Sequence, residues 1–213
     1  MRNVFYACVR TRFGPLTQGQ VNGFERLLDA FIAERTPNQH AAYLLATAWH
    51  ETARTMLPVR ETLADSDAQA IARLDNAYRR GKLRQVGKPY WRPDAHGRSY
   101  FGRGDVQLTH PENYRKAGEL VGRDLVAQPE LALDPEISAL ILIRGCTRGF
   151  FTGKRLADYL PGDWRGARRV INGLDRADQI ADLAKAFYSC LLRAFPEGVG
   201  AVMVEKKTAG AAP

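Results

Sequence analysis

Apolar side chains recur along this chain at intervals of three and four residues, which is the spacing of one face of an α-helix. The stripes predict helices over seven segments, approximately 17–35, 38–55, 67–80, 111–122, 135–151, 163–171 and 176–195. No internal repeat or heptad array interrupts them. The pattern therefore predicts a mainly helical protein.

Polar residues at the starts of the first three segments support these helices. Thr17 and Gln20 have the spacing of a capping box. Asn38 can cap the second helix, and either Ser66 or Asp67 can cap the third. We therefore expect these three helices to begin at those positions.

Two stretches have no helical period. Residues 81–104 are rich in Gly, Pro and aromatic side chains, which predicts a loop that includes at most a short hairpin. From Gly198 onward the chain is rich in Gly, Ala and Lys, as frayed chain ends often are. We expect a single domain of one or two lobes over 1–197 and a flexible C-terminal tail over 198–213.

Composition allows a sizeable core, and charge narrows the partners. The 213 residues are 45 % hydrophobic and 25 % charged, which is ordinary for a globular protein that needs no metal to fold. The net charge of +8 favours a polyanionic partner, namely nucleic acid, an anionic membrane or an anionic cell wall. Charge alone does not choose among these partners.

The cysteines and the chain start predict a cytoplasmic origin. Cys8, Cys146 and Cys190 are odd in number, widely spaced and without a CxxC pair, which favours buried thiols in a reduced protein over a disulfide. The apolar run in the first ten residues is too short for a signal peptide. No segment approaches the roughly 18–20 apolar residues that span a bilayer.

Two glutamates are candidates for acid–base chemistry. Glu51 follows Trp49 at the end of an apolar helix, where burial would disfavour its charged form. Glu61 follows a proline-marked turn beside Arg60, a more polar setting that would keep it ionised. Such a contrast suits a glycosidase, although most glutamate pairs at this spacing are ordinary surface residues.

The segment from Tyr100 to Tyr114 adds groups that could bind a sugar. Gln107, Thr109 and Asn113 are neutral polar side chains able to hydrogen-bond hydroxyl or acetamido groups, and Tyr100 offers an apolar ring face. The same segment is also typical of a glycine-marked turn that enters a helix at 111. Farther along, Asn172-Gly173 indicates a helix end, and Asn172 could equally face a substrate.

Three segments, taken together, resemble glycoside hydrolase family 19, the chitinase-like family that includes many phage endolysins. His50-Glu51-Thr52 resembles its HET or HES motif, Tyr100–Tyr114 is similar to its long Y-[FY]-G-R-G-x-x-Q-L-[ST]-x-x-x-N-Y signature, and Ile171-Asn172-Gly173 resembles its late ING segment. The segments occur in family order and span approximately residues 40–190. The middle motif is the specific one, since HET and ING alone are short.

The resemblance implies a fold and a set of roles. The fold would be a lysozyme-like, mainly helical α+β domain in which two helical lobes flank a substrate cleft. Glu51 would be the general acid, Glu61 the general base, and Thr109 would help hold the attacking water. Substrate-binding positions would be His50, Tyr100, Arg103, Gln107, Asn113 and Asn172, with Arg103 supporting the cleft by pairing with a carboxylate.

The chain departs from plant chitinases in two ways that favour the endolysin branch. Asp105 stands where the plant enzymes usually have proline, and their paired cysteines are not expected here. We therefore predict an endolysin that hydrolyses the glycan strand of bacterial peptidoglycan with inversion, without cofactor or metal. It would be a monomer, made in the host cytoplasm and reaching the wall after membrane permeabilisation.

Three other functions remain open at this point. A chitinase would use the same residues on N-acetylglucosamine polymers. A basic nucleic-acid-binding protein would explain the charge but not the 100–114 segment, so no nucleic acid is expected. A wall-binding module without catalysis is the third. The basic run of Arg79, Arg80, Lys82, Arg84 and Lys88 either contacts an anionic wall or outer-membrane surface or is a solvated helix end.

Overall fold

The computed structural model describes residues 1–202. Its α-helices are α1 (Arg2–Phe13), α2 (Gln18–Ala33), α3 (Asn38–Glu51), α4 (Asp67–Arg79), α5 (Pro111–Val121), α6 (Pro135–Arg148) and α7 (Ala177–Ala194). Two short strands, β1 (Val59–Arg60) and β2 (Arg103–Gly104), lie between them. The mainly helical prediction is confirmed. In the described range, no helix has the length and apolar character needed to cross a membrane.

Two of the three predicted helix caps are present. Thr17 and Gln20 form the capping box of α2, each side chain accepting from the other's backbone N–H, and Ser66 caps α4 by accepting from the N–H of Gln69 at 3.2 Å. Asn38 is not a cap, and that prediction is wrong. Its side chain instead donates to the carbonyl of Phe195 and accepts from the N–H of Val199, both at 2.8 Å.

Helices also begin and end where the sequence pattern did not indicate. α1 was not predicted, yet it buries Phe5 and Val9 completely against the core. α3 ends at Glu51 rather than near 55, because the chain turns back immediately afterwards. The predicted helix over 163–171 is only a 3-10 turn at Gly166–Val170.

The core has two parts. The large cluster is built around α3, which packs against α7, with α1, α2 and α6 around this pair. A smaller cluster contains Ala64, Ala70, Leu74, Trp91 and Phe101. Tyr100 belongs to the large cluster and Phe101 to the small one. The glycine-rich motif that follows therefore runs along the boundary between two lobes.

The only regular pairing in the described range is a two-residue ladder at this boundary. β1 and β2 are antiparallel, with Val59 opposite Gly104 and Arg60 opposite Arg103. Arg103 also exchanges backbone hydrogen bonds with Leu108, which closes a tight hairpin. The ladder brings Glu61, the residue after β1, next to Gly102, the residue before β2.

The packed part of the chain extends past the predicted boundary at 197. Val199 is fully buried and lies in a 3-10 turn, Val199–Ala201. Asn38 holds this turn through the bond to the N–H of Val199. Residues 199–201 are therefore packed against the domain, and the rest of the predicted tail, 203–213, lies outside the described residues.

The cysteine prediction is corrected by the structure. Cys8 in α1 and Cys190 in α7 form a disulfide, with their Cα atoms 5.4 Å apart, and only Cys146 is a free, buried thiol. The two sulfurs come from opposite ends of the sequence, so their spacing gave no indication of pairing. α1 packs on α7 in the fold, and this contact brings them together.

Removing this disulfide is expected to destabilise the protein. It closes a loop across a sequence separation of 182, and loss of such a cross-link typically costs about 2–5 kcal/mol. The double variant Cys8→Ser/Cys190→Ser should melt several degrees lower than the wild type. A reductant should lower the wild-type Tm and leave the variant unchanged. Equal wild-type Tm values with and without reductant would contradict the expected contribution.

Candidate active site

Glu51 is presented by a sharp turn that ends α3. The buried hydroxyl of Thr52 donates to the carbonyl of Ala48 at 2.7 Å and accepts from the N–H of Met56 at 3.0 Å. Ala53, Arg54 and Met56 adopt positive φ angles of 49°, 72° and 60°. The helix therefore stops at the carboxylate, which projects from a rigid helix end.

A buried arginine pairs with Glu51. Nη2 of Arg168 lies 3.0 Å from Oε1 of Glu51, with side-chain exposures of 2 % and 19 % respectively. Nε of Arg168 donates to the carbonyl of Asp175 at 3.1 Å, which fixes the guanidinium plane. Trp49 is buried as expected. The predicted apolar setting of Glu51 is therefore incomplete, because a cation contacts it.

Glu61 has a different environment. Its Oε2 accepts from the N–H of Gly102 at 2.7 Å, and its Oε1 accepts from the hydroxyl of Tyr90 at 2.8 Å. Burial and the bond to Glu61 both raise the pKa of Tyr90. No arginine or lysine of the described chain forms an ion pair with Glu61. The two carboxylates thus have unlike partners, a guanidinium for one and two neutral donors for the other.

Gly102 is needed because two functional side chains approach its backbone. A Cβ at this position would lie 2.6 Å from Oε1 of Gln107 and 3.3 Å from Oε2 of Glu61. A side chain at Gly102 would therefore push the end of the Gln107 side chain aside. The absence of a side chain at Gly102 therefore allows Glu61 and Gln107 to lie on either side of it.

A small groove gathers three of the predicted site residues. Its volume is about 190 Å³, and Gln107, Thr109 and Asn113 supply its polar side chains. Val106, Leu108, Phe150, Phe151 and Ile171 supply the apolar walls. Neutral polar groups above apolar walls suit a sugar ring with hydroxyl and amide substituents.

The groove is connected by contacts to both carboxylates. On one side, the N–H of Ile171 donates to the carbonyl of Arg168 at 3.1 Å, within one turn, and Arg168 holds Glu51. On the other side, the side chains of Gln107 and Glu61 both approach the backbone of Gly102. Residues that line the groove therefore contact the supports of both carboxylates, while the carboxylates themselves lie outside its lining.

A larger cavity lies on the far side of Tyr90. It measures about 940 Å³ and is lined mainly by residues 85–94, with His110 and Pro111 at its edge. Neither carboxylate lines it, and Tyr90, whose hydroxyl binds Glu61, is the link between the two. The smaller groove carries the polar groups suited to chemistry, and the larger cavity provides room beside it.

Four predicted substrate-binding residues do not line the groove, namely His50, Tyr100, Arg103 and Asn172. His50 lies in a separate depression beside Arg54 and Arg176, where burial lowers its pKa. Tyr100 is 4 % exposed, and its hydroxyl donates to the carbonyl of Val126 at 3.1 Å, so most of the ring packs in the core while its edge lines the larger cavity. Asn172 is exposed and follows directly after Ile171, at the edge of the groove.

Arg103 supports the site from inside the fold. Its side chain is 1 % exposed, lies 3.7 Å from the centre of the Phe101 ring and pairs with Asp67 at 2.6 Å. Burial opposes the charge of Asp67, but hydrogen bonds from Arg60 and Arg103 outweigh it and lower the pKa of Asp67. Arg103 is thus paired with a carboxylate, as expected, and is too deeply buried to contact a substrate directly.

Asp105, where plant enzymes usually have proline, anchors the motif. Its carboxylate is fully buried and accepts from both terminal nitrogens of Arg26, at 2.5 and 3.0 Å, and from the hydroxyl of Ser138 at 2.6 Å. Arg26 also donates to the carbonyl of Met56 at 2.9 Å. One ion pair therefore ties the loop after β2 to the turn that follows Glu51.

Sequence reasoning missed Arg168 and Tyr90, which contact the two carboxylates. Arg168 lies 117 residues from Glu51, and Tyr90 lies 29 residues from Glu61 in a segment without periodicity. No spacing rule connects such pairs. The arginine pair Arg168-Arg169 before the apolar Val170-Ile171 was the available signal for Arg168. Within residues 1–202, no group of three or more His, Cys, Asp or Glu could hold a metal ion.

Comparisons with known proteins identify the family. The glycoside hydrolase family 19 model, described as chitinase class I, matches residues 28–143, more than half of the chain. Endochitinase from Solanum tuberosum is 33 % identical over 147 residues, covering 64 % of this chain and 36 % of that protein. Endochitinase 4 of the same species is 45 % identical over 65 residues, covering 26 % and 21 %.

The solved structures agree on the fold. Chitinase C from Streptomyces griseus HUT6037 superposes with a TM-score of 0.55 at 18 % identity, covering 86 % of this chain and 74 % of that one. The chain spans between 21 % and 36 % of the length of the two curated relatives above. The predicted lysozyme-like, mainly helical architecture is confirmed. On the family match and the three ordered motifs, this chain belongs to glycoside hydrolase family 19.

Proposed function

We propose that this protein is an inverting glycosidase that cleaves the glycan strand of bacterial peptidoglycan during host-cell lysis. One observation carries the glycosidase proposal: two carboxylates have unlike partners, and residues of one sugar-sized groove contact the supports of both. Glycosidases divide acid and base roles between two such groups.

Glu51 acts as the general acid in this proposal. It donates its proton to the glycosidic oxygen, and the carboxylate that remains is stabilised by Nη2 of Arg168, 3.0 Å away. The low exposure of both side chains strengthens this attraction, because little water screens it. Arg168 thus favours the state that proton transfer creates.

Glu61 acts as the general base. Tyr90 and the N–H of Gly102 each donate to one of its oxygens, which orients the carboxylate and leaves lone pairs free to accept a proton from water. Thr109, in the adjoining groove, helps position that water. Inverting enzymes separate their carboxyl groups by about 6.5–9.5 Å to accommodate it.

The groove suits an N-acetylated sugar, and charge favours the bacterial wall. The amides of Gln107 and Asn113 can bond an acetamido group, and Phe150 and Phe151 can pack on a ring face. The net charge of +8 favours an anionic polymer. The Cys8–Cys190 disulfide suits a protein that works in an oxidising compartment, as the space around the wall is.

Chitin is the second candidate substrate, favoured by the relatives, which are named as chitinases. Purified peptidoglycan and chitin oligomers should be digested side by side and the products read by mass spectrometry. Preferential release of wall fragments with a new reducing end supports the proposal. The sugar found at this reducing end shows which glycosidic bond is cut. Faster cleavage of chitin oligomers would replace the wall with chitin as the substrate.

Thr109→Ala is expected to lower kcat by about tenfold, part of the 10²–10⁴-fold that a whole acid or base contributes. The alanine leaves the groove intact and removes one contact to the attacking water. Steady-state kinetics on soluble glycan fragments measures the effect. Thr11→Ala, at an exposed position of α1 that does not line the groove, should retain wild-type kcat. An unchanged kcat for Thr109→Ala would remove this residue from the mechanism.

The basic run is expected to act on the intact wall and not on the chemistry. Arg79, Arg80, Lys82 and Lys88 are exposed, and none forms an ion pair within the described chain. Replacing these four with Gln should slow lysis of permeabilised cells several-fold at low salt and flatten the salt dependence. Arg84 is kept, since it donates to the carbonyl of Gly81.

A matched variant controls for net charge. Replacing Arg10, Arg12, Lys185 and Arg193, which are exposed on α1 and α7, removes the same charge from another surface. Cleavage of soluble fragments should be unaffected in both variants. Equal losses of lysis in the two variants would assign the effect to net charge and not to the run.

A further inference from the structure

Three buried polar atoms behind Glu51 have no hydrogen-bond partner within the described chain. They are Nη1 of Arg168, the hydroxyl of Tyr43 and Oγ1 of Thr47. Tyr43 and Thr47 are fully buried, and Arg168 is 2 % exposed. Unsatisfied buried polar groups are rare and costly, so three beside one ion pair require an explanation.

Tyr43 and Thr47 lie on the same side of α3 as Glu51. Tyr43, Thr47 and Glu51 are spaced four residues apart in one helix, which aligns them along one face. Arg168 reaches this face, because it binds Glu51. Burial raises the pKa of Tyr43, and the positive charge of Arg168 works against that rise, so the phenol lies within range of the guanidinium charge.

The hydrogen-bonding capacities of the three groups match a single water molecule. Arg168 already uses Nε and Nη2, so Nη1 is a donor that needs an acceptor. The hydroxyls of Tyr43 and Thr47 can each donate or accept. Internal waters typically make about three hydrogen bonds to otherwise unsatisfied buried groups. Together the three groups offer the donors and acceptors that one such water uses.

We infer that α3 and Arg168 form a buried water-binding site behind Glu51, and that Tyr43 and Thr47 are positioning residues that act through Arg168. The water accepts from Nη1 and holds the guanidinium so that Nη2 stays directed at Glu51. The catalytic consequence rests on the proposed function. Removing either hydroxyl loosens Arg168 and weakens its support of the carboxylate that proton transfer leaves behind.

The test uses variants that remove one hydroxyl and keep the shape. Tyr43→Phe and Thr47→Val are expected to lower kcat about tenfold with KM within about twofold, since neither residue lines the groove. The basic limb of the kcat profile should move to higher pH, because a loosened guanidinium stabilises the carboxylate product of proton transfer less well. Thr47→Ser, which restores the hydroxyl, should recover wild-type kcat and profile.

Thr36→Val is the matched control. Thr36 is also buried, its hydroxyl also lacks a partner, and it lies before the first turn of α3, at the opposite end from Glu51. It should leave kcat and the pH profile unchanged. A high-resolution crystal structure of the wild type gives a direct readout, and one water within hydrogen-bond distance of all three atoms is expected.

The outcomes separate this inference from the proposed function. Unchanged kcat and pH profiles in Tyr43→Phe and Thr47→Val, with Glu51→Gln inactive, would overturn the water site alone. A crystal structure that shows direct hydrogen bonds among Arg168, Tyr43 and Thr47 in place of a water would also overturn the water site. An active Glu51→Gln would overturn the proposed function, and the catalytic consequence of the water site with it.

Discussion

Glu51→Gln is expected to abolish glycan cleavage, by at least about 10³-fold, while leaving the fold intact. Glutamine matches the size of Glu51 and keeps an oxygen that can accept from Nη2 of Arg168, so the turn at the end of α3 should be preserved. It has no acidic proton to give to the glycosidic oxygen. Turbidity loss of permeabilised cells and hydrolysis of soluble fragments measure the effect.

The control for this variant is Glu130→Gln. Glu130 is exposed in the 3-10 turn Pro129–Leu133 and has no contact with the groove. It should lyse cells at the wild-type rate. Circular dichroism and Tm should agree among all three proteins. A folded Glu51→Gln that lyses cells normally would exclude Glu51 as the acid.

Glu61→Gln is expected to lower kcat by about 10²–10⁴-fold, the usual contribution of a general base. The amide cannot take a proton from the attacking water, although its oxygen can still accept from Gly102 or Tyr90. The kcat of Glu61→Asp should lie between those of Glu61→Gln and the wild type. The shorter carboxylate keeps its basicity but loses one of its two hydrogen-bond partners. Steady-state kinetics on soluble fragments ranks the three proteins.

The pH profile of kcat distinguishes the acid role of Glu51 from the base role of Glu61. An acid must be protonated and a base ionised, so loss of the acid removes the basic limb and loss of the base removes the acidic limb. Residual activity of Glu61→Gln should therefore lack the acidic limb only. Activity of Glu61→Gln within a few-fold of wild type, with both limbs present, would assign the base to another residue.

Local patterns in the sequence predicted most of the helices and three groove residues. The capping box of α2 and the Ser66 cap of α4 depend on residues a few positions apart, so the sequence displays them directly. Gln107, Thr109 and Asn113 lie within one turn and helix start, and they line one groove. α1 was missed because its few buried residues form only a weak stripe.

The sequence by itself also determined the family, since the 100–114 motif is long and specific, and the family match confirms it. Only the tertiary structure decided which side chains face the groove. Tyr100 and Arg103 belong to the same motif as Gln107, yet they are buried, because the motif runs along the boundary between two hydrophobic clusters.

Long-range contacts were likewise beyond the sequence. Arg168 with Glu51, Tyr90 with Glu61, Arg26 with Asp105 and Cys8 with Cys190 each join residues that are far apart in the chain. Spacing along the sequence carries no information about such pairs, because helix packing brings them together. The chain thus specifies its helices and its family through local pattern, whereas packing between the lobes decides the partners and electrostatic environment of each carboxylate.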